Sequence, residues 1–272
     1  MSVRGFGAWL LVACAAGQLA AAGAAQRVSF ADPLGDDFGP GGYVYPTDPA
    51  YIAGSFDLVA ASLEIAGAEG RVEVRFAAPL EDAWGAGRGF ALQMVFVFVD
   101  LDHREGSGFT DGVPGLNVKF APADAWDRLI LLSPLPAARV RAELESKAGA
   151  IKEAVILPSS VEGSGSTIVA RFDAGALAAG NPAAWGYQVI VQSSNRFPEG
   201  DELLTRRVNE FAGEHRFGGG HDGMCDPQVL DLLAGAAAGG RDEVAIQQRI
   251  LAYECGPDGA SRRSAVLEMV RR

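Results

Sequence analysis

Only three of the 272 residues are cysteine and three histidine, and no CxxC pair or Cys/His cluster brings them together. That spacing excludes a zinc site built on paired thiolates and imidazoles. Positive charge is scarce too: 23 Lys and Arg stand against 34 Asp and Glu, a formal net charge of −11. With no basic patch to neutralise phosphates, nucleic acid is excluded as a partner. Beyond the N-terminus no segment reaches the ~20 apolar residues of a membrane span. Neither a G-x-S-x-G elbow nor a Gly-rich loop closing on Gly-Lys-Ser/Thr occurs, so no esterase nucleophile or phosphate cradle is encoded. What the chain has in quantity is apolar residues, 49% of the total, enough for a sizeable core.

The N-terminus has a specific grammar. Arg4 precedes an apolar run over 6–12, and an Ala/Gly-rich segment then ends near Ala25. This is the order of a secretory signal over residues 1–25, cleaved near Ala24 or Ala25. A rival reading takes "LVAC" (11–14) as similar to a bacterial lipobox, which would make Cys14 a lipidated N-terminus. Export would leave Cys225 and Cys255, which in an oxidising compartment read as one disulfide, with two unpaired buried thiols as the other reading.

From 28 to 208 the signals are those of strands. "RVEVRF" (71–76) alternates charged and apolar residues and puts Val72, Val74 and Phe76 on one face. "SLEIAG" (62–67), "STIVARF" (166–172) and "GYQVIVQ" (186–192) are further runs of this kind. "FALQMVFVFVDLD" (90–102) is apolar on both faces, as a central strand covered on both sides would be. No long amphipathic helix separates these runs. The expected fold is all-β, an antiparallel β-sandwich over residues 26–217. Near Gly218 the pattern changes to an acidic hinge, "FGGGHDGMCDP", followed by a short α-helical tail up to residue 272. Three helical stretches are expected there: "DPQVLDLLAGAA", with Asp cap and Pro at the first helical position, "DEVAIQQRILAYEC" and "SRRSAVLEMVRR".

Several long, ordered segments resemble one family. "DPLGDDFGPGGYVYPTD", "GSFDLVAASLEI", "AWGAGRGFALQMVFVFVDLDHREGSGFTDGVPGLNVKF", "AWDRLILLSP" and "FGGGHDGMCDPQVLDLLA" are similar to the C-terminal binding module of glucodextranase and to related domains of pullulanase-type enzymes. The resemblance implies a β-sandwich like those of family-nine carbohydrate-binding modules and DOMON-like domains. It further implies carbohydrate binding and, through similarity to surface-layer proteins, a place at the cell envelope.

Three sets of residues could carry chemistry. Asp32, Asp36 and Asp37, with Asp57 later, could offer oxygens to Ca²⁺, which takes about 6–8 such ligands in flexible geometry. The same aspartates could instead cap Asx-type turns beside their glycines and prolines. Sandwich modules like those it resembles often hold a structural calcium. A second acidic loop follows the central strand, with Asp100, Asp102, Glu105 and Asp111; Asp100 and Asp102 are further calcium candidates, and the loop reads as a ligand rim at the mouth of the sandwich. It departs from an EF-hand, since Arg104 takes the fifth position and Glu105 the place of the invariant Gly. His103, in that loop, reads as a solvated residue. For sugar stacking the candidates are Tyr43, Tyr45, Trp84, Trp126 and Trp185, each also able to serve the core. Trp84 lies in a Gly-rich polar loop and is the one expected to be exposed.

The expected function is that of a secreted, non-catalytic module that binds a polysaccharide or envelope glycan, with structural calcium. An alternative is an envelope domain that contacts other envelope proteins without binding sugar. An exported glycoside hydrolase would need a carboxylate pair flanking a cleft at about 5–10 Å. A haem-binding domain would need axial residues, for which Met94 and Lys119 are the strand candidates.

Overall fold

The computed structural model describes residues 1, 24–198, 200–235 and 242–272. The signal segment and Cys14 therefore lie outside the described residues. The chain forms β1 (Gln26–Ala31), β2 (Leu58–Ala66), β3 (Glu69–Phe76), β4 (Gln93–Asp100), β5 (Val118–Phe120) and β6 (Arg128–Leu132). Helix α1 (Ala137–Lys147) precedes β7 (Val155–Ile156), β8 (Ser160–Ser164), β9 (Thr167–Asp173) and β10 (Gly186–Ser193). Then come β11 (Asp231–Leu232), helix α2 (Glu243–Ile250), β12 (Glu254–Cys255), β13 (Ser261–Arg263), β14 (Ala265–Leu267) and β15 (Val270–Arg271).

Two sheets face one another. The first, in the order β1-β2-β3-β9-β8, is antiparallel throughout. The second has the order β11-β10-β4-β6-β7, with β15 also on β10 and only the β6–β7 pair parallel. The all-β sandwich expected from the sequence is what the chain forms. Alternation explains β3, where Val72, Val74 and Phe76 are buried. Strand β4 is buried along its whole length because it is covered on both sides. Its Val95, Val97 and Val99 join the core between the sheets. Its Met94, Phe96 and Phe98 join a second core on the outer face. That second core is closed by Val140 and Leu144 of α1 and by the C-terminal strands. Helix α1 buries only these two side chains, a stripe too thin to stand out in the sequence pattern.

The C-terminal part corrects two of the three expected helices. Residues 228–234 are extended, with the Leu230 N–H donating to Val191 O at 3.0 Å and the Leu233 N–H to Val189 O at 3.0 Å. Leu230 and Leu233 point into the inter-sheet core, while Val229 and Leu232 point into the outer one. A helix would bury these four on a single face; here both faces are covered, so the extended form buries more. "SRRSAVLEMVRR" forms β13 to β15, with Ala265 and Leu267 buried on one side of β14. Only α2 is helical, with Asp242 as its cap accepting from the Ala245 N–H at 3.3 Å. Among the described residues no helix is long and apolar enough to cross a membrane.

Cys225 and Cys255 form the expected disulfide across a sequence separation of 30. Closing a loop of that length removes about 3–4 kcal/mol of chain entropy from the unfolded state. Cys255→Ser is expected to lower the unfolding free energy by about 3 kcal/mol in urea denaturation. Dithiothreitol should produce the same loss in the parent and no further loss in the variant; equal stability of the two proteins would refute the bond.

Candidate functional site

The stretch "DPLGDDFG" (32–39) leaves β1 and folds back over the edge where the two sheets meet. The Asp32 N–H donates to Val59 O at 3.2 Å and the Gly39 N–H to Leu230 O at 2.8 Å, so the loop bridges both sheets. Gly39 has φ 61°, and a Cβ there would lie 2.7 Å from Val229 O and closer still to the Tyr43 ring. Only glycine combines that backbone angle with that approach. The Gly35 N–H donates to Asp57 Oδ2 at 2.8 Å, which draws the start of β2 into the loop. From the other sheet comes Asp231, whose Oδ2 accepts from the Leu58 N–H at 2.7 Å and whose Oδ1 accepts from the Leu232 N–H at 2.8 Å. Helix α2 holds the loop from above, as Gln247 Nε2 donates to Asp36 O at 2.6 Å.

These contacts concentrate negative charge. Asp32, Asp36 and Asp231 each bring a carboxylate oxygen within 4.8 Å of the others. Asp36, Asp57 and Asp231 are 1%, 4% and 0% exposed. Asp32 Oδ2, Asp36 Oδ1 and Asp57 Oδ1 are buried without a hydrogen-bond partner among the described residues. Nor does any of the four aspartates pair with Lys or Arg there; Arg272, which lines the cavity beside Asp32, lies over the Phe30 ring at 5.3 Å. Burial and the neighbouring carboxylates, Asp36 foremost, push Asp32 up to about 10. Burial and then Asp57 push Asp36 up to about 7. Burial raises Asp57 to about 6 against the opposing Gly35 hydrogen bond. Asp231 is held well above the usual carboxylate range by burial, then by Asp32 and Asp36.

Such an all-oxygen donor set suits a hard cation. It does not suit glycoside hydrolysis, which needs a sugar between its carboxylates. A cavity of about 20 Å³, the size of one water, borders this group and is lined by Asp32 and Glu243 but not by Asp36, Asp57 or Asp231.

Asp37 sits beside this group but is engaged by the Tyr45 hydroxyl, which donates to its Oδ2. Asp100 and Asp102 lie in a separate group with Asp127. There Asp100 Oδ1 accepts from the His103 N–H at 2.8 Å and its Oδ2 from Arg271 Nη2 at 2.6 Å. Asp102 Oδ1 accepts from Ser107 Oγ at 2.8 Å and the Arg104 N–H at 3.1 Å. This loop is closed by turn hydrogen bonds and an arginine. The His103 side chain is exposed, 3.8 Å from Asp100 Oδ2.

The aromatics scatter. Trp126 is fully buried, its Nε1 donating to Asp111 O at 2.9 Å, and Trp185 is buried near the start of β10. Tyr43 is buried with its hydroxyl donating to Pro227 O at 2.5 Å. Tyr45 is half-buried against Phe56 and Phe217. Trp84 is half-buried, its ring 5.7 Å from Tyr51 and 6.0 Å from His215. Of the two haem candidates, Met94 is wholly buried in the outer core and Lys119 is paired with Asp111. Asp231 and Gln247 escape a sequence reading because one sits in a stretch that reads as helix and the other is 211 residues from its partner. The only signal for Asp231 is a charge inside "VLDLL", an apolar run where an aspartate must be satisfied.

A family model described as the C-terminal binding-module, SLH-like, of glucodextranase matches residues 28–269. No match was found among curated proteins.

The raised carboxylates fix the sign of a pH dependence. A carboxylate whose folded pKa exceeds its unfolded value of 3.8 stabilises the fold while protonated, and that contribution is lost as pH rises. In chelator-treated protein the melting temperature is expected to fall from about pH 4 upward, through the Asp57 and Asp36 values of about 6 and 7. Asp32→Asn should flatten that fall in a calorimetric pH series; an unchanged slope would show that Asp32 does not share the buried charge.

Proposed function

The chain belongs to the family of C-terminal, SLH-like binding modules of glucodextranase, and from that membership we propose that it is a non-catalytic carbohydrate-binding β-sandwich. On this reading it is exported by its N-terminal signal and acts at the cell envelope or on extracellular glycan. The observation that carries it is the extent of the match, residues 28–269, which takes in nearly all of both sheets, the carboxylate loop and the C-terminal strands as far as β14.

We further propose that the interior carboxylates hold one calcium ion. Three orphaned oxygens, on Asp32, Asp36 and Asp57, support this, because buried anions without partners are costly and a cation removes that cost. Asp32, Asp36, Asp57 and Asp231 would hold it, and Asp37 would add its field from the Tyr45 contact. The ion would supply structure: it would tie the loop after β1 to both sheets. Asp100 and Asp102 are left out of this assignment, because Arg271 already pairs with Asp100 and Arg104 with Asp102.

Two measurements test the proposal. Calcium at a hundredfold excess over its dissociation constant stabilises a native-only binder by about 2.7 kcal/mol, a rise of roughly 5–10 °C for a domain of this size. That rise should vanish in Asp32→Asn, and its absence in the parent would refute the cation site. For the glycan, affinity electrophoresis through gels holding neutral and acidic polysaccharides should show retarded migration in at least one gel. Unretarded migration in all of them would favour an envelope domain that binds no sugar.

A further inference from the structure

The protein carries an excess of 11 negative charges, yet three arginines are among the residues that line one cavity. It has a volume of about 210 Å³, and its lining includes Glu202 and Thr205 as well as Arg206, Arg207, His215 and Arg216. Glu202 is buried and spoken for: it pairs with Arg207 and accepts from the Gly200 N–H at 2.9 Å. Arg206 and Arg216 have no carboxylate partner among the described residues. Arg206 Nη1 donates to His215 O at 2.8 Å, while Arg216 Nε donates to Phe211 O at 3.0 Å. Each contact fixes part of a guanidinium and leaves further N–H donors for the cavity. Arg206 Nε and Thr205 Oγ1 are buried without a hydrogen-bond partner among the described residues. Asp48 and Glu214 approach His215 and lie outside the cavity lining.

His215, on the lining of this cavity, also packs near two aromatic rings, the buried Tyr51 and the half-buried Trp84. His215 lies 6.0 Å from the Trp84 ring and 6.1 Å from the Tyr51 ring. Trp84 is thus the one candidate aromatic that is both partly exposed and next to a cavity of useful size. The volume lies below the ~300 Å³ at which pockets for drug-sized ligands begin, which suits a single ring. A planar guanidinium matches a carboxylate with two parallel hydrogen bonds, whereas sugar hydroxyls have no need of fixed charge.

We propose that this cavity is the glycan site and that its ligand is an acidic sugar, a hexuronate unit of a polysaccharide. The carboxylate is taken by Arg206 and Arg216, and the ring lies toward the Trp84–His215 surface. The proposal rests on the carbohydrate-binding reading and adds the class of sugar and the place.

The test is titration calorimetry on the full chain with trigalacturonate, triglucuronate and trimannuronate, set against galactotriose, maltotriose and triglutamate. The expected result is at least one uronide binding about a hundredfold more tightly than its neutral counterpart, weakening as salt rises. Arg216→Ala, at an exposed position, should reduce that affinity roughly tenfold or more at an unchanged melting temperature; Trp84→Ala, which also removes packing against the core, should reduce it too when titrated well below its lowered melting temperature. Neutral trimers binding as well as uronides, with Arg216→Ala indifferent, would overturn the acidic-sugar proposal and leave the module reading standing. Triglutamate binding as tightly as the best uronide would reduce the cavity to a basic patch. Failure of every saccharide would overturn both readings.

Discussion

Four aspartates meet in one buried corner of the sandwich with no ion pair to a basic side chain among the described residues. Much of the architecture converges on that corner. The loop after β1 brings Asp32 and Asp36, the start of β2 brings Asp57, and the opposite sheet brings Asp231. The Asp32 N–H on Val59 O, the Leu58 N–H on Asp231 Oδ2 and the neighbouring Gly39 N–H on Leu230 O hold the edges of the two sheets together. Gln247 then ties α2 to the same loop. Removing the charge conflict therefore matters to both sheets and to the helix together. On the proposed reading, a hard cation held by these carboxylates would do this.

The group around Asp100 shows the same problem solved differently. There, too, aspartates crowd the end of a strand, but Arg271 reaches back from β15 to Asp100 and Asp124 at 2.6 and 2.9 Å. The last strand of the chain supplies the counter-charge. Two acidic groups that look alike in the sequence thus differ in their need for an ion, and what separates them is a residue 171 positions away.

Alternation made the strands legible: β3 and β4 could be read directly because each face of each strand meets one kind of surroundings. The C-terminal segments could not, since Val229, Leu230, Leu232 and Leu233 fit one helical face as well as two strand faces. Only the partner layers decide, and those come from distant sequence. The carboxylate loop was visible through Asp32, Asp36, Asp37 and Asp57, whereas Asp231 was hidden in the stretch read as helix. The aromatics were readable as candidates but not as places. Trp126 and Trp185 went to the core, and the arginines beside Trp84 carry no motif because they converge through the loop between β10 and β11.

The central claim is that the corner formed by Asp32, Asp36, Asp57 and Asp231 is a cation site and the loop at Asp100 is not. Anomalous diffraction from a crystal soaked in calcium tests it most directly. The account requires one anomalous peak among those four carboxylates and none beside Asp100, where Arg271 stands. A corner without a peak, or a peak at Asp100 alone, would contradict it.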